Sequence, residues 1–274
     1  MYIYKQKVWR RGKKSSGTRL AEALGVMVLT PNYNQPLKNK VIVNWGCSTN
    51  NPNILSISTA VYNKPDAVKL AVNKLKTLSV LEEQCLPVPI FTTTKDGAIR
   101  LLSEFGGVVC RTLLTSHSGK GIILARKEED VVDAKLYTAY YKKLNEYRVH
   151  VFRNNSLLVK KRKLSKEKLG RRGIKDTPQF IRNLRHGFIY STRLDDVSDD
   201  LQSTLKSLGM MAIKALGLDF GAVDIMETED HGLLILEVNT APGLSNQSTF
   251  DFYLNNIMEL QSTLMYGHTI TEPL

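Results

Sequence analysis

Phe220-Gly221-Ala222-Val223-Asp224-Ile225 and Glu237-Val238-Asn239-Thr240-Ala241-Pro242-Gly243-Leu244 are the two stretches on which the reading of this chain turns. Residues 221–226 and 233–238 are short apolar runs flanking the turn formers Glu229-Asp230-His231-Gly232, so they predict a β-hairpin. A hairpin symmetric about Asp230-His231 sets Asp224 directly across from Glu237, and opposed residues share a face. Asn239 lies two residues beyond Glu237, so the pleat turns its amide to the same side. Two facing carboxylates repel unless a cation sits between them, and an all-oxygen donor set favours a hard ion such as Mg2+. The competing reading is a pair of strand-end carboxylates splayed into water.

Outward from this hairpin, residues 199–216 place Leu201, Leu205, Leu208, Ala212 and Ala215 on one helical face, with Ser198 or Asp199 as the cap. Residues 146–153 and 156–163 are extended runs around Asn154-Asn155, which predicts a second hairpin. Residues 166–179 carry charge, two glycines and a proline without periodicity and read as a mobile loop. Further toward the N-terminus, residues 95–105 predict a helix closed by Gly106-Gly107, and 108–114 and 122–125 predict strands. Residues 63–85 have helical spacing in two pieces, stopped by Leu86-Pro87-Val88-Pro89. A weaker helix at 16–24, followed by the β-branched runs 26–30 and 41–45, completes a small α/β unit. There is no internal repeat. The expected architecture is mixed α/β (α+β): an N-terminal unit over 1–62, then units over 63–143 and 144–274.

A chain of 274 residues with 42% hydrophobic content can bury a sizeable core. No run approaches the roughly 18 apolar residues of a membrane span, and the polar, basic N-terminus lacks an export segment. The expectation is a soluble, cytoplasmic protein that makes no membrane contact. Cys47, Cys85 and Cys110 are odd in number and widely spaced, which predicts free thiols rather than a disulfide framework or a metal pair. A formal charge of +12 attracts anions, whether nucleotide, nucleic acid or acidic peptide. Much of the excess lies in Arg10, Arg11, Lys13 and Lys14, and in a second run of Lys160, Lys161, Arg162, Lys163, Lys166, Lys168, Arg171 and Arg172.

The two C-terminal stretches together closely resemble the signature of the ATP-grasp superfamily, and from about Asn73 onward the chain is similar to its RimK-type peptide-modifying ligases. The resemblance implies an ATP-grasp fold, in which two α+β subdomains grip ATP behind a small α/β N-terminal domain. It implies two Mg2+ ions, with Mn2+ as an alternative, held by Asp224, Glu237 and Asn239 and bridging the ATP phosphates. Asn73-Lys74-Leu75-Lys76 is similar to the segment that opens the nucleotide-binding half, and Leu86-Pro87-Val88-Pro89 to the turn after it. Val108-Val109-Cys110-Arg111 stands where the family has apolar residues and a phosphate-binding lysine; Arg111 keeps the charge but offers a planar fork. Thr115-Ser116-His117-Ser118-Gly119-Lys120-Gly121 resembles the glycine-containing loop that folds over the phosphates, which implies contacts from Ser118, Gly119 and Gly121.

Residues 137–143 resemble the hinge strand that reads adenine. That implies cofactor contacts at Tyr140, Tyr141 and, from the closing strand, Leu236, with Lys142 or Lys143 reaching the phosphates. Glu146-Tyr147-Arg148-Val149 resembles the acidic-x-Arg strand and aims Arg148 at an anionic substrate or phosphate. Phe180-Ile181-Arg182-Asn183-Leu184-Arg185-His186-Gly187 resembles the segment that approaches the transferred phosphoryl group, through Asn183 and either Arg182 or Arg185. His117 and His186 more readily hydrogen-bond locally than act as bases.

The implied chemistry is carboxylate–amine ligation. A substrate carboxylate attacks the γ-phosphate, giving ADP and an acylphosphate, and an amine then displaces phosphate to form the amide. No protein nucleophile is required, and the sequence has neither a nucleophile-elbow serine nor a Cys/His pair. The implied partners are ATP, an amino-acid or other carboxylate substrate and an amine acceptor. A basic flap at 160–172 would draw an acidic peptide, protein or nucleic acid acceptor, and a homo-oligomer is in keeping with related ligases. Two rival readings stand beside this one. A non-catalytic ATP-binding regulator is supported by Arg111 and the displaced arginine. A basic nucleic-acid-binding protein predicts salt-sensitive binding and no magnesium-dependent nucleotide affinity.

Overall fold

The computed structural model describes residues 1–7, 14–35, 37, 40–115, 120–174 and 182–266, with the backbone alone for 264–266. Arg10, Arg11, Lys13, His117, Ser118, Gly119, Phe180 and Ile181 lie outside the described residues. The first unit contains β1 (Tyr2–Tyr4), α1 (Ser16–Ala23), β2 (Val28–Leu29), β3 (Val41–Asn44), α2 (Pro52–Leu55) and β4 (Ala60–Tyr62), its strands forming a parallel sheet in the order β2-β1-β3-β4. Helices α3 (Pro65–Ala71) and α4 (Lys74–Glu83) are the two pieces expected of 63–85; Asn73 separates them by capping α4, its side chain accepting from Lys76 N.

Next come β5 (Phe91–Thr92), α5 (Lys95–Phe105), β6 (Val108–Arg111), β7 (Ile122–Ala125) and β8 (Leu136–Ala139), an antiparallel sheet ordered β5-β8-β6-β7. Helix α5 matches its predicted span and ends at Gly106 with φ 62°, the left-handed C-cap that glycine adopts without strain. The last unit contains β9 (Lys143–Phe152), β10 (Asn155–Lys163), α6 (Lys166–Arg171), β11 (Phe188–Ser191), α7 (Asp199–Ala215), β12 (Phe220–Thr228), β13 (Leu233–Asn239) and α8 (Gln247–Tyr266). Its five strands are antiparallel in the order β11-β10-β9-β12-β13.

The period of two along these strands divides the five-stranded sheet into two faces. Tyr147, Val149, Val151, Leu158, Val223, Ile225 and Val238 turn to a core filled by Leu205, Ala212 and Ile213 of α7. Val68, Ala71 and Leu81 of α3 and α4, within the unit expected over 63–143, enter that same core, so packing is shared across the expected division at 143/144. The other face carries Glu146, Arg148, His150, Asp224 and Glu237. Toward one end of the sheet Phe152 and Phe220 pack with Phe250, Tyr253, Ile257 and Leu260 of α8 and with Ile3, Leu20 and Trp45, so α8 ties the N-terminal unit to the sheet. No helix among the described residues is long and apolar enough to cross a membrane, and Cys47, Cys85 and Cys110 are free.

Three local expectations are corrected. The β9–β10 turn is Arg153-Asn154, one residue earlier than predicted, because Phe152 pairs with Asn155 and Arg153 N donates to Asp219 O at 2.7 Å. Residues 166–171 are helical rather than a mobile loop: Ser165 caps the helix by accepting from Lys168 N, Leu169 is buried, and Arg171 pairs with Glu167 at 2.5 Å. The β12–β13 hairpin is not symmetric about Asp230-His231. Ile225 pairs with Ile235 but Asp224 pairs with Glu237, so a bulge at Leu236 moves the register by one residue just before the acidic pair.

Candidate functional site

Across the middle of the five-stranded sheet, Arg148, Asp224 and Glu237 stand in one row on β9, β12 and β13. Arg148 grips Asp224 with both arms of its fork, Nε to Oδ1 at 2.6 Å and Nη2 to Oδ2 at 2.8 Å. Burial alone would raise the Asp224 carboxyl, but the guanidinium overcomes it and holds the group below the usual carboxylate range. Burial likewise disfavours the Arg148 cation, and Asp224 reverses that and raises it. Two pairs further along, on the same face, Asn239 faces Ala222 and donates from Nδ2 to Glu237 Oε1 at 3.2 Å. Asp224 is buried while Glu237 is 36% exposed, so the row runs from a dry end to an open one.

Cations arrive at the open end from the neighbouring elements. Lys74, the first residue of α4, reaches Glu237 Oε2 at 3.7 Å, and Arg111, the last residue of β6, lies within the field of Glu237. Burial lowers both groups, and Glu237 only partly offsets the loss. Closer to the edge strand, buried Glu146 accepts from Lys143 at 3.3 Å and makes a very close contact with Lys161. Burial pushes Lys143 down despite Glu146. Tyr190 of β11 completes the wall: its hydroxyl points at Asp224, 3.4 Å from Oδ1, while Arg148 and Lys161 lie over its ring. Beside Arg148, His150 is pushed down to about 3 by burial and by that guanidinium. Tyr253 donates its hydroxyl hydrogen to Gly221 O at 2.7 Å, so His150 Nδ1 serves as donor to the Tyr253 oxygen at 3.2 Å.

The expected site residues divide into those that converge and those engaged elsewhere. Arg111, Arg148, Asp224, Glu237 and Asn239 come together. Of the two hinge lysines, Lys143 faces the site, whereas Lys142 is exposed and pairs with Glu229 at 2.6 Å. The hinge strand ends at Ala139, so Tyr140 to Lys142 form the crossing between two sheets. Tyr140 N donates to Gly107 O and its ring lies under Arg126, while Tyr141 is buried against Phe105 and His231. Leu236, at the bulge, packs with the core of the β5–β8 sheet. Gly121 has φ +70° and closes the β6–β7 turn, where a Cβ would lie 2.7 Å from Thr112 Oγ1. Arg182 donates to the carbonyls of Lys143 and Leu144 at 2.9 and 3.2 Å, bracing the hinge backbone; Arg185 is exposed. Asn183 caps the turn over 184–186 by accepting from His186 N.

Lys74 and Tyr190 were not singled out from the sequence. Lys74 lies in the quoted Asn73-Lys74-Leu75-Lys76 segment, so its signal was present; Tyr190 sits in a four-residue edge strand with no motif of its own. The basic run at 160–172 is also less free than its composition suggests. Lys160 and Arg162 both bind Asp196, at 2.9 and 2.6 Å, and Lys161 binds Glu146. Two surface depressions, one beside Asn34 and Pro52 and one beside Asn154 and Lys214, hold none of the converging residues. The site lies instead at the seam where β6 and α4 meet β13.

Two opposed carboxylates and an adjacent amide oxygen fit a hard divalent cation, and no third Asp, Glu, His or Cys side chain joins them among the described residues. Lys74, Arg111 and Arg148 set three cations around that acidic pair, and Lys143 adds a fourth further along the face on Glu146, a set suited to a polyanion such as a nucleoside triphosphate.

No family model matches the sequence. Over 198 residues the chain is 28% identical to tetrahydromethanopterin:alpha-L-glutamate ligase of Methanocaldococcus jannaschii, an alignment covering 69% of this chain and 65% of that protein. The match thus spans a little less than two thirds of that curated relative. Among solved structures, the D-alanine–D-alanine ligase of Bacillus anthracis superposes with a TM-score of 0.66 at 13% identity, over 94% of this chain and 96% of the other. ATP-grasp ligase PsnB, complexed with a minimal precursor, gives 0.64 at 14% identity over 94% of this chain and 98% of the other. The chain has the fold of the ATP-grasp ligases and is similar in sequence to alpha-L-glutamate ligases.

Proposed function

We propose that the chain is an ATP-dependent carboxylate–amine ligase. The observation that carries this reading is the register of β12 against β13, which opposes Asp224 to Glu237 inside a ring of cations from three different elements. A substrate carboxylate attacks the γ-phosphorus, ADP leaves, and the acylphosphate is opened by an amine that expels inorganic phosphate and loses a proton. Asp224, Glu237 and Asn239 would hold Mg2+, which supplies charge neutralisation on the phosphate oxygens when bound. Lys74 and Arg111 orient the triphosphate from the seam, and Lys143, held by Glu146, meets it from the hinge. Arg182 fixes the Lys143 carbonyl and so the path of the hinge backbone. The exposed cations Lys166 and Lys168 of α6 and Arg172 at its C-cap favour an acidic acceptor, and the alpha-L-glutamate ligase likeness supports an amino acid as the joined amine.

The test is ADP release in the presence of Mg2+ across amino acids and acidic peptides, with mass spectrometry of the acceptor that gains mass. Glu237→Gln is expected to cut ADP release by at least about 100-fold, the scale of losing one preorganised electrostatic group, and to melt at the wild-type temperature. A Glu237→Gln protein that releases ADP at the normal rate would sink the reading. Tight anionic-polymer binding without magnesium-dependent nucleotide uptake would favour a nucleic-acid module instead.

A further inference from the structure

Tyr190 stands apart from the residues that the ligase reading already uses. Its ring lies beneath two cations, with Arg148 Cζ 4.3 Å and Lys161 Nζ 4.9 Å from the centroid. Its hydroxyl lies 3.4 and 3.5 Å from the two Asp224 oxygens, a long donor contact beside the 2.6 and 2.8 Å bonds from Arg148. Lys161 is anchored by Glu146 and has little freedom to move. Arg148 is different, because its carboxylate partner is also one of the three oxygen donors. A divalent cation on Asp224 competes with the guanidinium for the same carboxylate charge and repels it, so the pair loosens when the cation arrives. Once the pair loosens, the face of Tyr190 still keeps the guanidinium inside the wall of the site. The N–H groups so released then point into a space that has just acquired phosphate.

We infer that Tyr190 is a positioning residue: its ring holds Arg148 in the site when Asp224 passes from the guanidinium to a cation, so that Arg148 meets the phosphates rather than swinging away. This rests on the ligase reading and adds to it a residue that touches neither metal nor phosphate. The ring's contribution is redundant in the resting protein, where Asp224 alone fixes Arg148 bidentately. It counts once that pair opens, so it enters the affinity for a metal–nucleotide complex.

Calorimetric titration with the magnesium complex of a non-hydrolysable ATP analogue reads this directly, without turnover. Tyr190→Phe keeps the ring and is expected to bind within about threefold of wild type, while Tyr190→Leu is expected to bind about tenfold more weakly, the scale of a desolvated cation–π contact. Because Tyr190→Leu also changes packing, a series of singly, doubly and triply fluorinated phenylalanines at 190 preserves the shape and drains the ring's negative face in steps. Affinity falling with each fluorine supports the inference. A flat series, or a Tyr190→Leu protein that binds like wild type, overturns it. A wild-type chain with no affinity for the magnesium–nucleotide complex overturns the ligase reading itself, an outcome distinct from either of these.

Discussion

Arg148 and Asp224 form a buried pair on which the proposed function also draws. Neither charge has water to fall back on, so removing one partner leaves the other buried and uncompensated. Arg148→Met is expected to cost about 3–5 kcal/mol in urea unfolding, and Arg148→Met with Asp224→Asn to recover most of that loss. His150 carries a second residue-scale consequence. Its folded pKa, near 3, lies below the roughly 6.5 of an unfolded histidine, so between those values the unfolded chain binds the extra proton. The contribution is therefore complete above pH ~6.5 and is lost as the pH falls toward 3, at up to about 1.4 kcal/mol per pH unit. Melting curves between pH 7 and 5 should show this slope in wild type and a shallower one in His150→Phe.

At the scale of elements, one glycine decides how two units meet. Gly46 has φ +75°, and a Cβ there would lie 2.6 Å from Ala241 Cβ, so the N-terminal unit approaches the loop after β13 only because that residue has no side chain. The contact is reinforced by Ser16 Oγ donating to Pro242 O at 2.9 Å and Arg19 donating to Leu244 O at 2.8 Å. Gly46→Ala is expected to destabilise by about 2–3 kcal/mol, from strain at positive φ and the displaced loop, measured as a lower denaturant midpoint. Elements with strong local signals were legible: α5 from its apolar face and closing glycine, α7 from Ser198 and its leucine stripe, β12 and β13 from their apolar runs. Strands β1, β4, β5 and β11 were not, because two to four residues carry too little periodicity to separate from loop. Helix α8 was missed although Phe250, Tyr253, Ile257 and Leu260 have helical spacing, and α6 was missed because its glycines and charges mask a single buried leucine.

Over the whole molecule, the charge of +12 is not one surface. Part of it is neutralised by carboxylates, inside at Glu146 and Asp224 and nearer the surface at Glu237 and Asp196, and the cations of α6 stay at the surface. Association with an acidic peptide should weaken steeply between about 50 and 200 mM salt, since surface charges are screened within ~10 Å, whereas the folded stability, resting on buried pairs, should change little. Titration by fluorescence anisotropy and melting in parallel would separate the two. Salt-independent peptide binding would argue against α6 as the docking element.

The sequence by itself determined that a closing hairpin would bring Asp224, Glu237 and Asn239 to one face, because strand alternation is a local rule that any extended chain obeys. It also specified the order of helices and strands wherever their apolar stripes were long. Only the tertiary structure decided which cation each carboxylate meets: Arg148 and Lys74 are 76 and 163 positions from Asp224 and Glu237 in the chain, and pairing at such separation is set by sheet order and helix packing. The same holds for the fine register. The bulge at Leu236, which a symmetric hairpin does not contain, is what restores Asp224 to Glu237, and it arises where the strand must serve two cores at once.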